Sequence, residues 1–395
     1  MTRWVGALVV GLLPPILLEL LPPLGAPLPA DRPVAQAKLI ATGHESELVR
    51  SVGIARTRRA SERVVMSIGP NRLGALNDGD RLEVSAEVQV STTCVDRGRR
   101  CIGRRYHFSP IVTARLVLSG HRKRGVHGRR MSGRKPVVCS QRRPDRNHHC
   151  TLTVAGGVAS VNGSKTPCAP HRCHVNVVVG AHHRRARRGQ RIVLGGDDPR
   201  GRVDQDKGRL NVVRLPAQRP PRTRLRVGEL LKRSVPVRPR RGTRRRVVYS
   251  VAVPELRAGE VIAADGRFAT RIGGLRYNAY ISSRLILADR PGAVRVTKAV
   301  RGFGTREGRF GEHNGFNCTQ GPSGYRTPCV TRKAGAVRIR KDAVDAKTGE
   351  PLTLYVNLVA SVRPRLGGPK RRPRHFHRAR LSPAGGLDLV RYGVG

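Results

Sequence analysis

Apolar residues fall along this chain in short runs rich in Val, Ile and Leu, separated by Gly, Pro, Asn and Asp, and no stretch keeps helical spacing for three turns or more. The clearest run is Leu82 to Val90. There Leu82, Val84, Ala86, Val88 and Val90 alternate strictly with Glu83, Ser85, Glu87 and Gln89, after the turn signal Asn77-Asp78-Gly79-Asp80. Period-two alternation after a turn predicts a strand with one face on a core. Many such strands joined by long loops predict an all-β chain built of β-sandwiches, jelly-roll or immunoglobulin-like, and the pattern does not choose between those two.

Much of the pattern comes twice. Arg63-Val64-Val65 returns as Arg246-Val247-Val248, Ala114-Arg115-Leu116-Val117-Leu118 as Ser283-Arg284-Leu285-Ile286-Leu287, and Val175-Asn176-Val177 as Val356-Asn357-Leu358. The segment closing at Arg214-Leu215 returns as one closing at Arg391-Tyr392. Cys150-Thr151 likewise matches Cys318-Thr319, and Thr166-Pro167-Cys168 matches Thr327-Pro328-Cys329. A shared order of motifs predicts one unit used twice. The expected organisation is a signal peptide over 1–37, a first sandwich over 38–216, a Pro/Arg-rich linker over 217–224 around Pro220-Pro221, and a second sandwich over 225–395. On this alignment the second copy gains a hairpin-like insertion, Ala336-Val337-Arg338-Ile339-Arg340, with its turn at Lys347-Thr348-Gly349-Glu350.

The amino terminus adds a compartment. Met1-Thr2-Arg3 is basic, Trp4 to Leu24 is mostly apolar, and Ala35-Gln36-Ala37 has the form that signal peptidases accept. The rival is an uncleaved anchor, against which stand Glu19 and the pairs Pro14-Pro15 and Pro22-Pro23. No later stretch is apolar enough to span a bilayer, so no transmembrane segment is expected after cleavage, and the chain is expected to be secreted or held at the cell envelope.

Charge then bears on partners. The 395 residues carry 77 Lys+Arg against 26 Asp+Glu, a formal charge of +51, and 66 of the basic residues are Arg. Such a surface attracts anionic polymers, whether envelope polysaccharide or extracellular nucleic acid. An even spread of Arg is also what a genome-wide composition bias produces. Sequence-specific reading of nucleic acid is not expected, because no recognition helix is visible and aromatics make up only 4%.

Eight cysteines in an exported chain predict disulfides. The repeat alignment pairs Cys318 with Cys329 and Cys150 with Cys168, leaving Cys94 with Cys101 and Cys139 with Cys173; the rival scheme pairs neighbours, Cys139 with Cys150 and Cys168 with Cys173. Crowding of His148, His149, Cys150, Cys168, His171, Cys173 and His174 also suits tetrahedral zinc, although oxidation competes with thiolate ligation outside the cytoplasm. His182-His183 with His375 and His377 hints at copper. The segment from Asp197-Asp198 to Asp204-Gln205-Asp206-Lys207-Gly208 offers oxygen ligands to calcium, but lacks the closing Glu of a calcium loop.

Short catalytic signatures are missing: no nucleophile elbow, zinc-protease helix, phosphate loop or dinucleotide fingerprint occurs. Glu312-His313-Asn314 and Asp145-Arg146-Asn147-His148 are the nearest to an acid–base cluster, and neither is specific. The sequence therefore reads as a non-enzymatic binding or structural module with no required cofactor. The alternative is a secreted enzyme, metal-assisted, with its site between the two domains.

Overall fold

Valine-rich runs cut short by turn residues cannot extend into helices and pair as strands instead. In a computed structural model the chain is described over residues 36–42, 51–56, 61–96, 99–100, 110–122, 125–132, 135–138, 149–187, 189–194, 196–197, 203–204, 208–218, 220–237, 244–272, 279–304, 310, 316–320, 329–364 and 377–394. The expected signal peptide lies outside these residues up to Ala35. Gln36 and Ala37 lie inside them, and Ala37 is buried.

The first half begins with β1 (Lys38–Thr42), β2 (Ser51–Gly53), β3 (Arg63–Ile68), the helical turn α1 (Pro70–Leu73) and the long β4 (Arg81–Asp96). There follow β5 (Arg99–Arg100), β6 (Ile111–Ser119), β7 (Arg129–Arg130), β8 (Lys135–Val138) and β9 (His149–Ser160). β10 (His174–His182), β11 (Gln190–Leu194), β12 (Gly196–Asp197), β13 (Val203–Asp204) and β14 (Gly208–Leu215) complete it. One sheet runs β1-β14-β4-β11-β2, with β5 and β9 also on β4, and a second runs β3-β10-β6-β7, with β8 on β6. Val84 and Val88 of β4 and Val212 of β14 meet Leu116 of β6 and Val177 of β10 in one buried core.

The second half contains β15 (Arg222–Val227), β16 (Ser234–Val237), β17 (Arg244–Val253), β18 (Val261–Ile272), β19 (Ala279–Ala288), α2 (Lys298–Arg301), β20 (Phe316–Gln320), β21 (Cys329–Arg338), β22 (Leu354–Pro364) and β23 (His377–Tyr392). Its sheets are β15-β23-β18-β21, with β16 on β23, and β17-β22-β19-β20. Ile262, Phe268, Leu387 and Leu389 of the one meet Val251, Leu285 and Leu358 of the other. Both halves are thus antiparallel β-sandwiches, the fold class that the alternation predicts. β15 starts inside the expected linker, where Arg222 pairs with Tyr392.

Three local devices occur in both sandwiches. Asn176 is fully buried, accepts from the Ser67 hydroxyl at 2.7 Å and donates to the His121 and Gly125 carbonyls; Asn357 accepts from Ser250 at 2.6 Å and donates to the Arg290 and Ala293 carbonyls. Each Asn ties its core strand to the loop that covers the sheet. At the start of β4, Asp80 holds Arg214 of the last strand at 2.7 Å, and at the start of β18 Glu260 holds Arg391 at 2.8 Å. The turn before each acid carries a glycine at positive φ, Gly79 at 83° and Gly259 at 89°, where a side chain would be strained. Finally, β3 bulges against β10 between Met66 and Val64, as β17 bulges against β22 between Tyr249 and Val247.

Strand register corrects the expected cysteine alignment. Cys150 lies opposite Val90 on β4 and Cys329 opposite Thr270 on β18. At the far ends, Val161 donates to the Asp80 carbonyl and Ile339 to the Glu260 carbonyl. Cys150 therefore corresponds to Cys329, not to Cys318, and Cys168 does not correspond to Cys329. Two- and three-residue matches carry less register information than a ten-residue ladder. The insertion vanishes with the alignment. Ala336 to Arg338 are the end of β21, and the turn held by Asp345, whose Oδ1 accepts from the Lys347 and Thr348 amides, lies in an ordinary link to β22.

From residue 35 onward the chain forms one compact unit. Among the described residues no helix is long and apolar enough to cross a membrane.

Candidate binding cleft between the sandwiches

The polar face of β4 does not turn to water. Leu82, Val84 and Ala86 fill the core of the first sandwich, so period-two alternation puts Arg81, Glu83, Ser85 and Glu87 on the opposite face. The same logic places Asn211, Val213 and Leu215 of β14, Ala263 and Asp265 of β18, and Asp388, Val390 and Tyr392 of β23 outside their own cores. These faces meet. Ala37, Val213, Leu215, Val261, Ala336 and Tyr392 form an apolar cluster that takes residues from both sandwiches.

Polar contacts fasten the same interface. Lys333 Nζ bonds Glu87 Oε2, with side chains only 5% and 7% exposed, and the Ala334 amide donates to Glu87 Oε1 at 3.3 Å. Thr153 donates to the Arg332 carbonyl at 2.9 Å, and the Tyr392 hydroxyl donates to Glu83. Burial, reinforced by the hydrogen bond to Glu83, pushes the Tyr392 phenol above its ordinary value.

Beside these fasteners the two faces part around a cavity of about 260 Å³. Its apolar walls combine small residues, among them Ala155, Gly156, Ala263, Ala334 and Ala336, with Val84, Val158, Val213 and Val390. Gly156, at φ 71°, sits where β9 slips one residue against β4, and a Cβ there would meet nothing within 4 Å. The polar lining is Arg81, Glu83, Ser85, Asn211, Arg222, Arg224, Asp265 and Asp388. Arg81 stands 3.1 Å and Arg222 3.4 Å from Glu83, while Arg224 and Arg226 each stand 3.5 Å from Asp388. Arg332 bonds Asp265 through Nε at 2.7 Å, and that bond, outweighing burial, holds the guanidinium further above its usual range.

Three oxygens in this lining, Glu83 Oε1, Asn211 Oδ1 and Asp388 Oδ1, lack hydrogen-bond donors, and Arg81 Nε lacks an acceptor. The last two of these oxygens are equivalent. Asn211 is only 2% exposed and its Oδ1 has no partner; Asp388 Oδ1 is buried with only the distant guanidiniums nearby. Counting back from the equivalent Arg214 and Arg391, each of these two oxygens stands on the residue three positions earlier, so the two residues hold the same place in the two sandwiches.

The residues singled out by sequence lie elsewhere. Cys168 and Cys173 form a disulfide across the turn before β10, with Cα atoms 5.2 Å apart. This corrects the pairing of Cys150 with Cys168 and of Cys139 with Cys173, and withdraws Cys168 and Cys173 as thiolate ligands for zinc. Their five-residue separation already brings the two within bridging reach. Cys94 lies on β4, Cys150 on β9, Cys318 on β20 and Cys329 on β21, whereas Cys101 and Cys139 fall outside the described residues. Asp197 and Asp204 lie on the two strands of the β12/β13 hairpin, where Gly196 faces Asp204 and Asp197 faces Val203; Asp198 and Asp206 fall outside. His182 ends β10 and His377 begins β23, while His148 and His375 fall outside. Among the described residues no group of three or more His, Cys, Asp or Glu is arranged to hold a metal ion. Sequence reasoning missed Asn211 and Asp388, although alternation along their strands marks both as facing away from their own cores.

No protein-family model matches the chain, and no curated protein sequence does. Among solved structures it is similar to the CBM22-1-CBM22-2 tandem domain of Paenibacillus barcinonensis Xyn10C, at 8% identity over 90% of this chain and 91% of that one, with a TM-score of 0.20. It is also similar to the N-glycanase PNGase F, at 7% identity over 91% and 97% with a TM-score of 0.19, and to the VP2 subviral particle of infectious bursal disease virus, at 12% identity over 93% and 82% with a TM-score of 0.16. At scores this low these likenesses carry no argument about topology or function.

Proposed function

We propose that the protein is an exported, non-enzymatic binding module, made by duplication of one sandwich unit, that holds anionic polymers at the cell envelope or outside the cell. The observation that carries this reading is where the carboxylates go. Glu62 is bound to Arg115, Asp80 to Arg214, Glu87 to Lys333, Asp265 to Arg332 and Glu260 to Arg391, each fastening one part of the scaffold to another. With 26 acids against 77 bases, at least 51 cations have no carboxylate of their own. The recurring Asn, acid–Arg and bulge devices support the duplication.

Export rests on the amino-terminal pattern. The enzyme alternative gains nothing from the cleft, whose Glu83 and Asp265 are each held by a guanidinium rather than poised beside a nucleophile.

A heparin column tests the reading. The full chain is expected to stay bound past about 0.5 M salt, because many simultaneous phosphate- or sulfate-like contacts are needed to survive screening. Elution at about physiological salt would contradict it.

A further inference from the structure

The cleft chemistry is distinct from the surface charge. Three guanidiniums, Arg81, Arg222 and Arg224, and three carboxylates, Glu83, Asp265 and Asp388, line it, and Arg226 and Arg332 also face Asp388 and Asp265, so a cationic ligand finds each carboxylate already faced by a guanidinium. An anion meets three oxygens without donors, Glu83 Oε1, Asn211 Oδ1 and Asp388 Oδ1, which repel it, while Arg81 Nε lacks an acceptor, so the lining calls for groups that both donate and accept. What these oxygens lack is a donor. A buried acceptor without one is costly, so a ligand that supplies a proton to each restores a lost interaction.

We propose that the cleft between the sandwiches binds an uncharged polyol, of the size of a single sugar ring or a little more, with hydroxyls donating to Asn211 and Asp388. Hydroxyls suit the site because each both donates and accepts. They satisfy the two oxygens and can accept from Arg222 and Arg224, whose side chains are 46% and 68% exposed at the rim. The volume of about 260 Å³ lies below the ~300–1,000 Å³ of sites for drug-sized ligands, which fits a small compact molecule. The floor of Ala and Gly gives close approach to backbone, and Gly156 keeps it open. The equivalent placing of the two oxygens gives a ligand matched contacts from both sandwiches, so its binding also bridges them.

Calorimetric titration of the full chain with a panel of uncharged monosaccharides and cyclitols tests this, with ethylammonium and inorganic phosphate as charged controls. At least one polyol is expected to bind saturably, and Asn211→Leu is expected to weaken it about tenfold or more. That variant replaces an unpartnered oxygen with a group of similar size and should fold as well as the parent. Ala263→Leu, which keeps both oxygens but fills the cavity, is expected to weaken the same polyol. A polyol that binds better as part of a chain marks a polymer unit, and one that binds equally well alone marks a free sugar; both uphold the inference. Absence of saturable polyol binding, or binding that neither substitution alters, overturns it. So does saturable binding of ethylammonium or phosphate that both substitutions remove. None of these failures touches the heparin result, which rests on the surface.

Discussion

Lys333 and Glu87 join the sandwiches as an ion pair removed from water on both sides, and such pairs are more informative when broken than when counted. Removing one partner strands a buried charge. Lys333→Ala is therefore expected to cost about 3–5 kcal/mol in urea denaturation, whereas replacing both residues by Met costs far less. Asn176→Ala and Asn357→Ala each leave a hydroxyl and two loop carbonyls without their partner, for an expected loss of about 2–3 kcal/mol apiece. Tyr392 gives the chain an alkaline limit. A tyrosine in the unfolded chain ionises near pH ~10, while the folded phenol keeps its proton to higher pH. Above that value the unfolded state binds fewer protons than the folded one, so the stability present below it declines as pH rises. The wild type should lose denaturation midpoint between about pH 8 and pH 11, and Tyr392→Phe should lose less; equal losses would show that the phenol is not protected. The roles of Glu83 and Glu87 were not legible in sequence. Alternation identifies a polar face, but the same pattern serves a face turned to water and a face turned to another sandwich.

Elements were more legible than contacts. The alternating run of β4, the Val-Asn strand of β10 and β22, and the closing strands β14 and β23 all appear where pattern puts them, because period two and turn residues are local properties. The cysteine correspondence was not, since it depends on which strands pair across long loops. Register equates Cys150 with Cys329, and Cys318 on β20 lies opposite Ile281 of β19, next to the place that β8 takes beside β6 in the first sandwich. With Cys168 and Cys173 bonded to each other, the remaining partners follow from this equivalence. Peptide mapping of unreduced protein is expected to find Cys139 linked to Cys150 and Cys318 linked to Cys329. A Cys139 link to Cys94 or Cys101 would break the equivalence. Removing the short Cys168–Cys173 loop should cost about 2 kcal/mol, since a small ring restrains the unfolded chain little.

For the whole molecule, the interface makes two sandwiches behave as one body. An apolar cluster, a buried ion pair and a bonded tyrosine cross it, so the full chain is expected to unfold in a single calorimetric transition, and Lys333→Ala to split or broaden that transition. Composition bears on the surface at once, because a formal charge of +51 exceeds what the chain's own carboxylates can neutralise whatever the fold. The cleft needed the fold, because Asn211 and Asp388 are 177 positions apart and meet only when equivalent faces pack together. The central claim is that the basic surface holds anionic polymers, and the salt dependence of binding to an anionic oligomer of defined length tests it most directly. The account expects log K to fall linearly with log salt with a slope of about −5 or steeper, as several neutralised anions release their counterions; a slope near zero, or no measurable binding at about 0.15 M salt, would contradict it.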